Sequence, residues 1–466
     1  VSSNLSQLVL DRRTLLALLG AGGAAATLAA CAGGSPAAGG GSSSGGSSNL
    51  RSGFSQAPVK VPSQYAGRTA ILFWAPFTGV NFEAVQAQFT AFNESQDEIY
   101  AAAESQGSYA DLNQKYTAAL QARQVPDIVC FPERQWLQFW QADSLAPLDR
   151  YFDDQWSLDV YMQNYVGEGT AAGEAFVVPF ARSTPLFYFN KERFREAGLP
   201  ETGPTTWTEF AEMAPALLAL DAGGQSLKPM AFGAEDGWFG QSHIWAWDGR
   251  WSTDTEVTAD AGPAAEWLQW KKDFIHRDGY GYMAKAAMTD FQTGVAAATH
   301  GSTASLRGAT EAAEFEIGTA FMLGHDTPGP KVPTGGSGLS IVKAESQERQ
   351  DACAELFKFL AQPENSAQWH KDTGYLPIVT AAQETKTVKD LVAADPNFGT
   401  ALKQVANAQT ADPIGWYQAS LTEINAAMAQ VYGDGADVPT VVSNLQGKLE
   451  GIFQQNAESI AKVLGS

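Results

Sequence analysis

Glu133 follows directly on the apolar run Ile128-Val129-Cys130-Phe131-Pro132. Packing gives little reason for an acid at the end of a buried strand. Its two oxygens are acceptors suited to a pair of neighbouring hydroxyls. Glu235 stands three residues before Trp238, in Glu235-Asp236-Gly237-Trp238-Phe239-Gly240. An acid beside an aromatic ring suits a sugar hydroxyl or a quaternary ammonium. The same two acids also allow a second chemistry, a carboxylate pair cleaving a glycosidic bond in a secreted carbohydrate-active hydrolase. Other catalytic signatures are missing from the sequence: there is no CxxC, HExxH, Walker loop or GxSxG. The five histidines, His243, His276, His300, His325 and His370, lack metal-ligand spacing. No nucleophile with a matching base appears either, so the leading expectation is a binding protein that is not an enzyme, with no cofactor and no metal.

Cys31 carries a different chemistry. Arg12 and Arg13 precede an apolar run from Leu15 to Ala30 that ends in Leu28-Ala29-Ala30-Cys31. A positive start, a short apolar stretch and small residues before the cleavage point read as an export signal, too short for a comfortable membrane span. Leu-Ala-Ala-Cys matches a bacterial lipobox, in which the cysteine is acylated. Residues 1–30 are therefore expected to be a lipoprotein signal peptide. Residues 31–66 are expected to be a flexible tether, since the Gly/Ser/Ala/Pro stretch from Ala32 to Ser48 offers little apolar area to offset its ordering entropy. The arginine pair leaves general secretion and twin-arginine export both open. The expected location is the extracellular face of the membrane, held by the lipid anchor alone.

The formal charge of −21, from 30 basic and 51 acidic residues, favours solubility and disfavours nucleic acid as a partner. Cys130 and Cys353 either pair or remain two separate buried thiols. At 466 residues the chain is about three times a typical domain, so two lobes are the default.

These residues need elements to position them. Ala70-Ile71-Leu72-Phe73-Trp74 reads as a strand, and Phe82, Val85, Phe89 and Phe92 follow at helical spacing. A second strand near Glu98 to Ala103, a helix through Leu112, Tyr116 and Leu120, and a third strand over 127–131 complete a strand–helix alternation. That alternation predicts a mainly parallel sheet flanked by helices, with ligands expected beyond the carboxyl ends of the strands. The run 178–191 reads as a strand crossing to a second α/β lobe, where Thr206-Trp207-Thr208-Glu209 opens a helix with a capping box. Gly335 to Ile341 returns as a strand, and order is expected from about Arg68.

Three motifs carry a resemblance: Ser183-Thr184-Pro185-Leu186-Phe187-Tyr188-Phe189-Asn190-Lys191, Pro204-Thr205-Thr206-Trp207-Thr208-Glu209-Phe210, and Asp372-Thr373-Gly374-Tyr375-Leu376-Pro377. With them the chain resembles extracellular solute-binding proteins of carbohydrate-type ABC importers, nearest to the branch that binds glycerol 3-phosphate and glycerophosphodiesters. The resemblance implies a two-lobed periplasmic-binding-protein-like fold with the ligand in the interlobe cleft. Residues 67–183 and 318–380 would form one lobe, and 184–317 and 381–466 the other. It further implies a monomer that delivers a polyol, sugar or glycerophosphodiester to the permease subunits. Carried over residue by residue, Tyr109 and Tyr375 would face the ligand and Glu133 would accept from glycerol hydroxyls. Ser183 and Ser302 would donate, Gly336 would offer bare backbone, and Trp238 would wall the glycerol carbons. The family's arginine against the phosphate is absent. Its place falls near Gly415 and Trp416, and Trp416 is taken as the residue there that meets the ligand. Together with the extra acid at Glu235, this disfavours a phosphate monoester unless Arg182, Arg307 or His300 points inward.

Overall fold

A computed structural model of the chain describes residues 53–233 and 237–464. Cys31 and Glu235, like the leader and most of the tether, lie outside the described residues.

Ten strands build two five-stranded sheets. In the first lie β1 (Thr69–Ala75), β2 (Ile99–Ser105), β3 (Ile128–Pro132), β4 (Val178–Ser183) and a returning strand, Gly335–Ile341. In the second lie β5 (Pro185–Asn190), β6 (Lys228–Gly233), β7 (Gly281–Ala284), β8 (Ala296–Ser302) and β9 (Ile317–Ala320). Numbering the returning strand β10, the spatial orders are β2-β1-β3-β10-β4 and β7-β6-β8-β5-β9. Only β10 in the first sheet and β5 in the second run against their neighbours. Each is the strand by which the chain enters from the other sheet. The two-lobed, mainly parallel α/β architecture read from the sequence is the one observed.

The run 178–191 divides at one residue. β4 ends at Ser183, β5 begins at Pro185, and Thr184 between them is fully buried. β9 pairs with β5 in the second sheet, so the chain rejoins the first sheet only at Gly335. Both faces of the sheets are covered by helices whose apolar residues recur at helical spacing. Helix Gly79–Ser95 buries Ala84, Val85, Phe89 and Phe92. Helix Trp207–Leu218 is capped by the Thr206 hydroxyl, which accepts from the Glu209 N–H at 3.1 Å. The Glu209 carboxylate reaches back to the Thr205 N–H at 2.6 Å, one residue earlier than a regular capping box.

One sequence expectation changes. Order begins well before Arg68: Phe54 is buried in the core, and Ser55–Gln56 pair in parallel with Gln124–Val125. Glu345 N–H donates to the Phe54 carbonyl at 3.0 Å and Arg349 to that of Ala57 at 3.2 Å. Composition pointed to a tether because one phenylalanine and a two-residue strand scarcely alter a polar stretch. The open cysteine question also closes. Cys130 and Cys353 are separate buried thiols, donating to the Ser337 hydroxyl at 3.1 Å and the Arg349 carbonyl at 3.0 Å. No described helix is long and apolar enough to cross a membrane.

Candidate functional site

A narrow cleft opens beyond the carboxyl end of β3. Glu133, Arg134 and Gln135 line one wall, directly after the strand. Gly237, Trp238 and Gln241 of helix Gly237–Ala246 line the opposite wall, and Thr410, Ala411, Gly415 and Trp416 close one side. Glu168 and Thr334 also line it.

Glu133 sits where the polypeptide must leave the sheet, with φ at 30°. That conformation is unusual for a residue with a side chain and recurs at functional sites. Its N–H is held by the Gly336 carbonyl at 3.1 Å. Burial, opposed by the Arg182 guanidinium and helped by Glu168, raises the Glu133 carboxyl to about 8. Near neutrality Glu133 is therefore mainly a neutral acid, able to donate as well as accept.

Glu168 is the buried counterion. It lies between Gly167 and Gly169 and accepts from Arg182 of β4 and from the Thr334 hydroxyl. Both partners of the ion pair are 3 % exposed. The Arg182 guanidinium also lies over the Tyr165 ring, 4.8 Å from its centroid. This pair was not legible from motif or spacing, although two glycines flanking an acid mark a tight backbone approach. A Cβ at Gly169 would overlap the Val177 carbonyl.

Trp238 is placed by its helix and by two features of the returning chain. Its indole N–H donates to the Thr334 carbonyl at 3.0 Å. Gly335 leaves room for the ring, since a Cβ there would strike it. Gly336 also serves the packing of the returning strand. Its φ is +83° and a Cβ would overlap the Ala181 carbonyl oxygen, so its bare backbone permits close approach of β10 to β4. Trp416 is 5 % exposed, its indole N–H bound to the Ala411 carbonyl at 2.9 Å, and its ring lies under Arg134. Asp412, fully buried, ties this segment down: it accepts from Gln241 at 2.9 Å, the Trp251 N–H at 2.7 Å and Arg250 at 3.1 Å.

Of the nine residues singled out from the sequence, Glu133, Trp238 and Trp416 line the cleft. Tyr109 and Tyr375 form a pair beside Glu133 without being among its lining residues. Tyr109 donates to the Ser337 hydroxyl at 3.1 Å, and Tyr375 stacks on Trp369 with ring centroids 5.7 Å apart. Burial pushes both phenols upward, so both remain neutral donors. Gly336 holds Glu133, as described. Ser183 is buried at the end of β4, opposite Gly335. Ser302 does not line the cleft; its hydroxyl caps the following turn, accepting from the Ala304 N–H at 3.2 Å. Glu235 lies outside the described residues, so its distance from Glu133 is not defined. Arg307 pairs with Glu311 at 2.7 Å on the surface. His300 is buried among Phe187, Trp207, Phe232 and Phe239. Arg182 points inward but already answers Glu168. Among the described residues no cluster of His, Cys, Asp and Glu is arranged to hold a metal.

Comparison with known proteins shows the family and the fold. Residues 87–400 match the family model described as bacterial extracellular solute-binding protein. The sn-glycerol-3-phosphate-binding periplasmic protein UgpB of Pectobacterium atrosepticum is 28 % identical over 363 residues, 73 % of this chain and 80 % of that protein. The protein of the same name from Escherichia coli K12 is 25 % identical over 360 residues, 73 % of this chain and 81 % of its own. The crystal structure of UgpB from Mycobacterium tuberculosis in complex with glycerophosphocholine superposes with a TM-score of 0.78. It is 29 % identical and covers 84 % of this chain and all of its own. A maltose-bound Thermotoga maritima protein, 19 % identical with a TM-score of 0.71 and covering 82 % of this chain and all of its own, shares the fold. The chain belongs to the bacterial extracellular solute-binding protein family.

Proposed function

We propose that this protein is the receptor of an ABC importer, tethered outside the cell by a lipid on Cys31. It captures a glycerol-based solute of the glycerophosphodiester class and delivers it to the permease without chemical change. The observation that carries this reading is the convergence of Glu133 and Trp238, from opposite walls, on one cleft beyond the strand ends. A hydroxyl-binding acid facing a tryptophan suits the polar edge and apolar carbons of glycerol. Thr184 and the chain entering β10 are the two crossings about which the lobes would rotate. A ligand that touches both walls binds the closed state better and so shifts the population toward it. The likeness to a structure holding glycerophosphocholine supports the ligand class.

Isothermal calorimetry tests the ligand. Glycerophosphocholine is expected to bind, with Trp238→Ala weakening it roughly tenfold or more, as for a tryptophan at the centre of a contact. Tighter binding of maltose than of glycerophosphocholine would overturn the ligand assignment. The anchor has its own test: Cys31→Ala should shift the protein from the membrane fraction to the medium or leave it unprocessed. Unchanged fractionation with normal maturation would remove the lipid from the proposal.

A further inference from the structure

We propose that Arg134 is the anion receptor of this cleft and sets its preference for a singly charged phosphodiester over a phosphate monoester. This rests on the glycerophosphodiester reading above and assigns the residue that recognises the phosphate.

Arg134 is only 9 % exposed. Of its guanidinium nitrogens, Nη2 donates to the Gly167 carbonyl at 2.8 Å, while Nε and Nη1 are buried without a partner. Among the described residues no carboxylate pairs with it. A desolvated cation with donors unspent is costly in an empty protein, and it is explained by a ligand that arrives to use them. Orientation points the same way. The guanidinium carbon lies 4.4 Å from the centroid of the Trp416 ring, which fixes the plane of the fork. Both residues line the cleft together with Glu133 and Trp238. Arginine presents a rigid, bidentate fork to phosphate oxygens, and stacking on an aromatic face holds that fork ready before binding.

The charges of the cleft then select among anions. Glu168 is answered by Arg182. Glu133, with its carboxyl near 8, is mainly uncharged near neutrality, and the neighbouring phenols of Tyr109, Tyr375 and Tyr165 are held neutral by burial. Among the described residues that line the cleft, Arg134 is then the cation that no carboxylate answers. The single negative charge of a phosphodiester group matches that guanidinium, the choline of glycerophosphocholine carrying its own positive charge at the far end of the ligand, whereas the dianion of a phosphate monoester brings a second negative charge that no described cation of the cleft answers, beside Glu168.

The test is calorimetry at pH 7 with glycerophosphocholine and glycerol 3-phosphate on the wild type, Arg134→Met and Arg134→Lys, each followed also by thermal unfolding without ligand. The wild type should prefer glycerophosphocholine. Arg134→Met should weaken its binding by about 30-fold or more, the usual scale for removing one partner of a buried charge contact. Arg134→Lys should restore binding only partly, because an ammonium cannot form the fork. The ligand-free Arg134→Met protein should melt at the wild-type temperature or above it, since an unpaired buried charge has been removed. Wild-type affinity retained in Arg134→Met, or a wild type that favours glycerol 3-phosphate, would overturn the assignment while leaving the importer receptor reading intact. A wild type that ignores glycerophosphocholine and binds an uncharged sugar would instead overturn the ligand class itself.

Discussion

Arg182→Met is expected to cost about 3–5 kcal/mol of folding stability, the range found when one partner of a buried ion pair is removed. Arg182 and Glu168 are each 3 % exposed, and Glu168 has only the Thr334 hydroxyl besides. Without the guanidinium the Glu168 carboxylate would remain in a dry site beside Glu133, where Arg134 is near but bonds to the Gly167 carbonyl and not to the carboxylate. The loss also propagates through the backbone, because the Arg182 carbonyl accepts from Leu376 N–H at 2.8 Å and so positions the segment bearing Tyr375. Urea unfolding measures the effect as a shift in midpoint at constant slope. The double variant Arg182→Met/Glu168→Gln should recover part of the loss, since the stranded charge is gone. Arg195→Met removes the exposed partner of Glu201 and serves as control, where the expected cost is small because solvent screens the pair. A cost for Arg182→Met no larger than for Arg195→Met would refute the buried-pair argument.

The residues that were legible in the sequence are those whose position follows from local pattern. Glu133 was legible because an acid after five apolar residues marks a strand end, and strand ends of parallel sheets face clefts. Trp238 was legible through a Gly-rich turn that opens a helix. The crossing at 178–191 was legible as a continuous apolar run, and it became two strands because the lobes part at Thr184. What stayed hidden depends on pairing at long range. Glu168 meets Thr334 across 166 residues, and Asp412 meets Gln241 across 171. No window of sequence contains both partners. Ser302 shows the converse: a serine ending a strand suits a ligand donor and a turn cap equally, and tertiary placement gave it the cap. The resemblance to the family implied an arginine where this chain has Gly415 and Trp416. A guanidinium does stand in that neighbourhood, but it comes from Arg134, nearly three hundred residues earlier in the sequence.

Glu133 should make both stability and ligand affinity fall as the solution becomes alkaline. Its carboxyl is raised by burial from 4.5 to about 8, so the folded protein holds a proton there that the unfolded chain has released. The sign follows from linkage: the stabilisation is fully present below about pH 4.5 and is lost as pH rises through about 8. Each tenfold difference in proton affinity corresponds to about 1.4 kcal/mol, giving a ceiling of roughly 4–5 kcal/mol across that window, reduced because the side chain is only partly enclosed. Glu133→Gln keeps the shape and the donor without the titration. Its stability should therefore decline less than that of the wild type between pH 5 and 9 when both are followed by urea unfolding. Binding sharpens the test. Once Glu133 ionises, a phosphodiester held at Arg134 meets a carboxylate where it had met a neutral acid. Glycerophosphocholine affinity should fall as pH rises through about 8 in the wild type, and stay nearly flat in Glu133→Gln. Parallel pH profiles for the two proteins would show that Glu133 is already ionised at neutrality, and that its place after β3 is that of an ordinary hydroxyl acceptor.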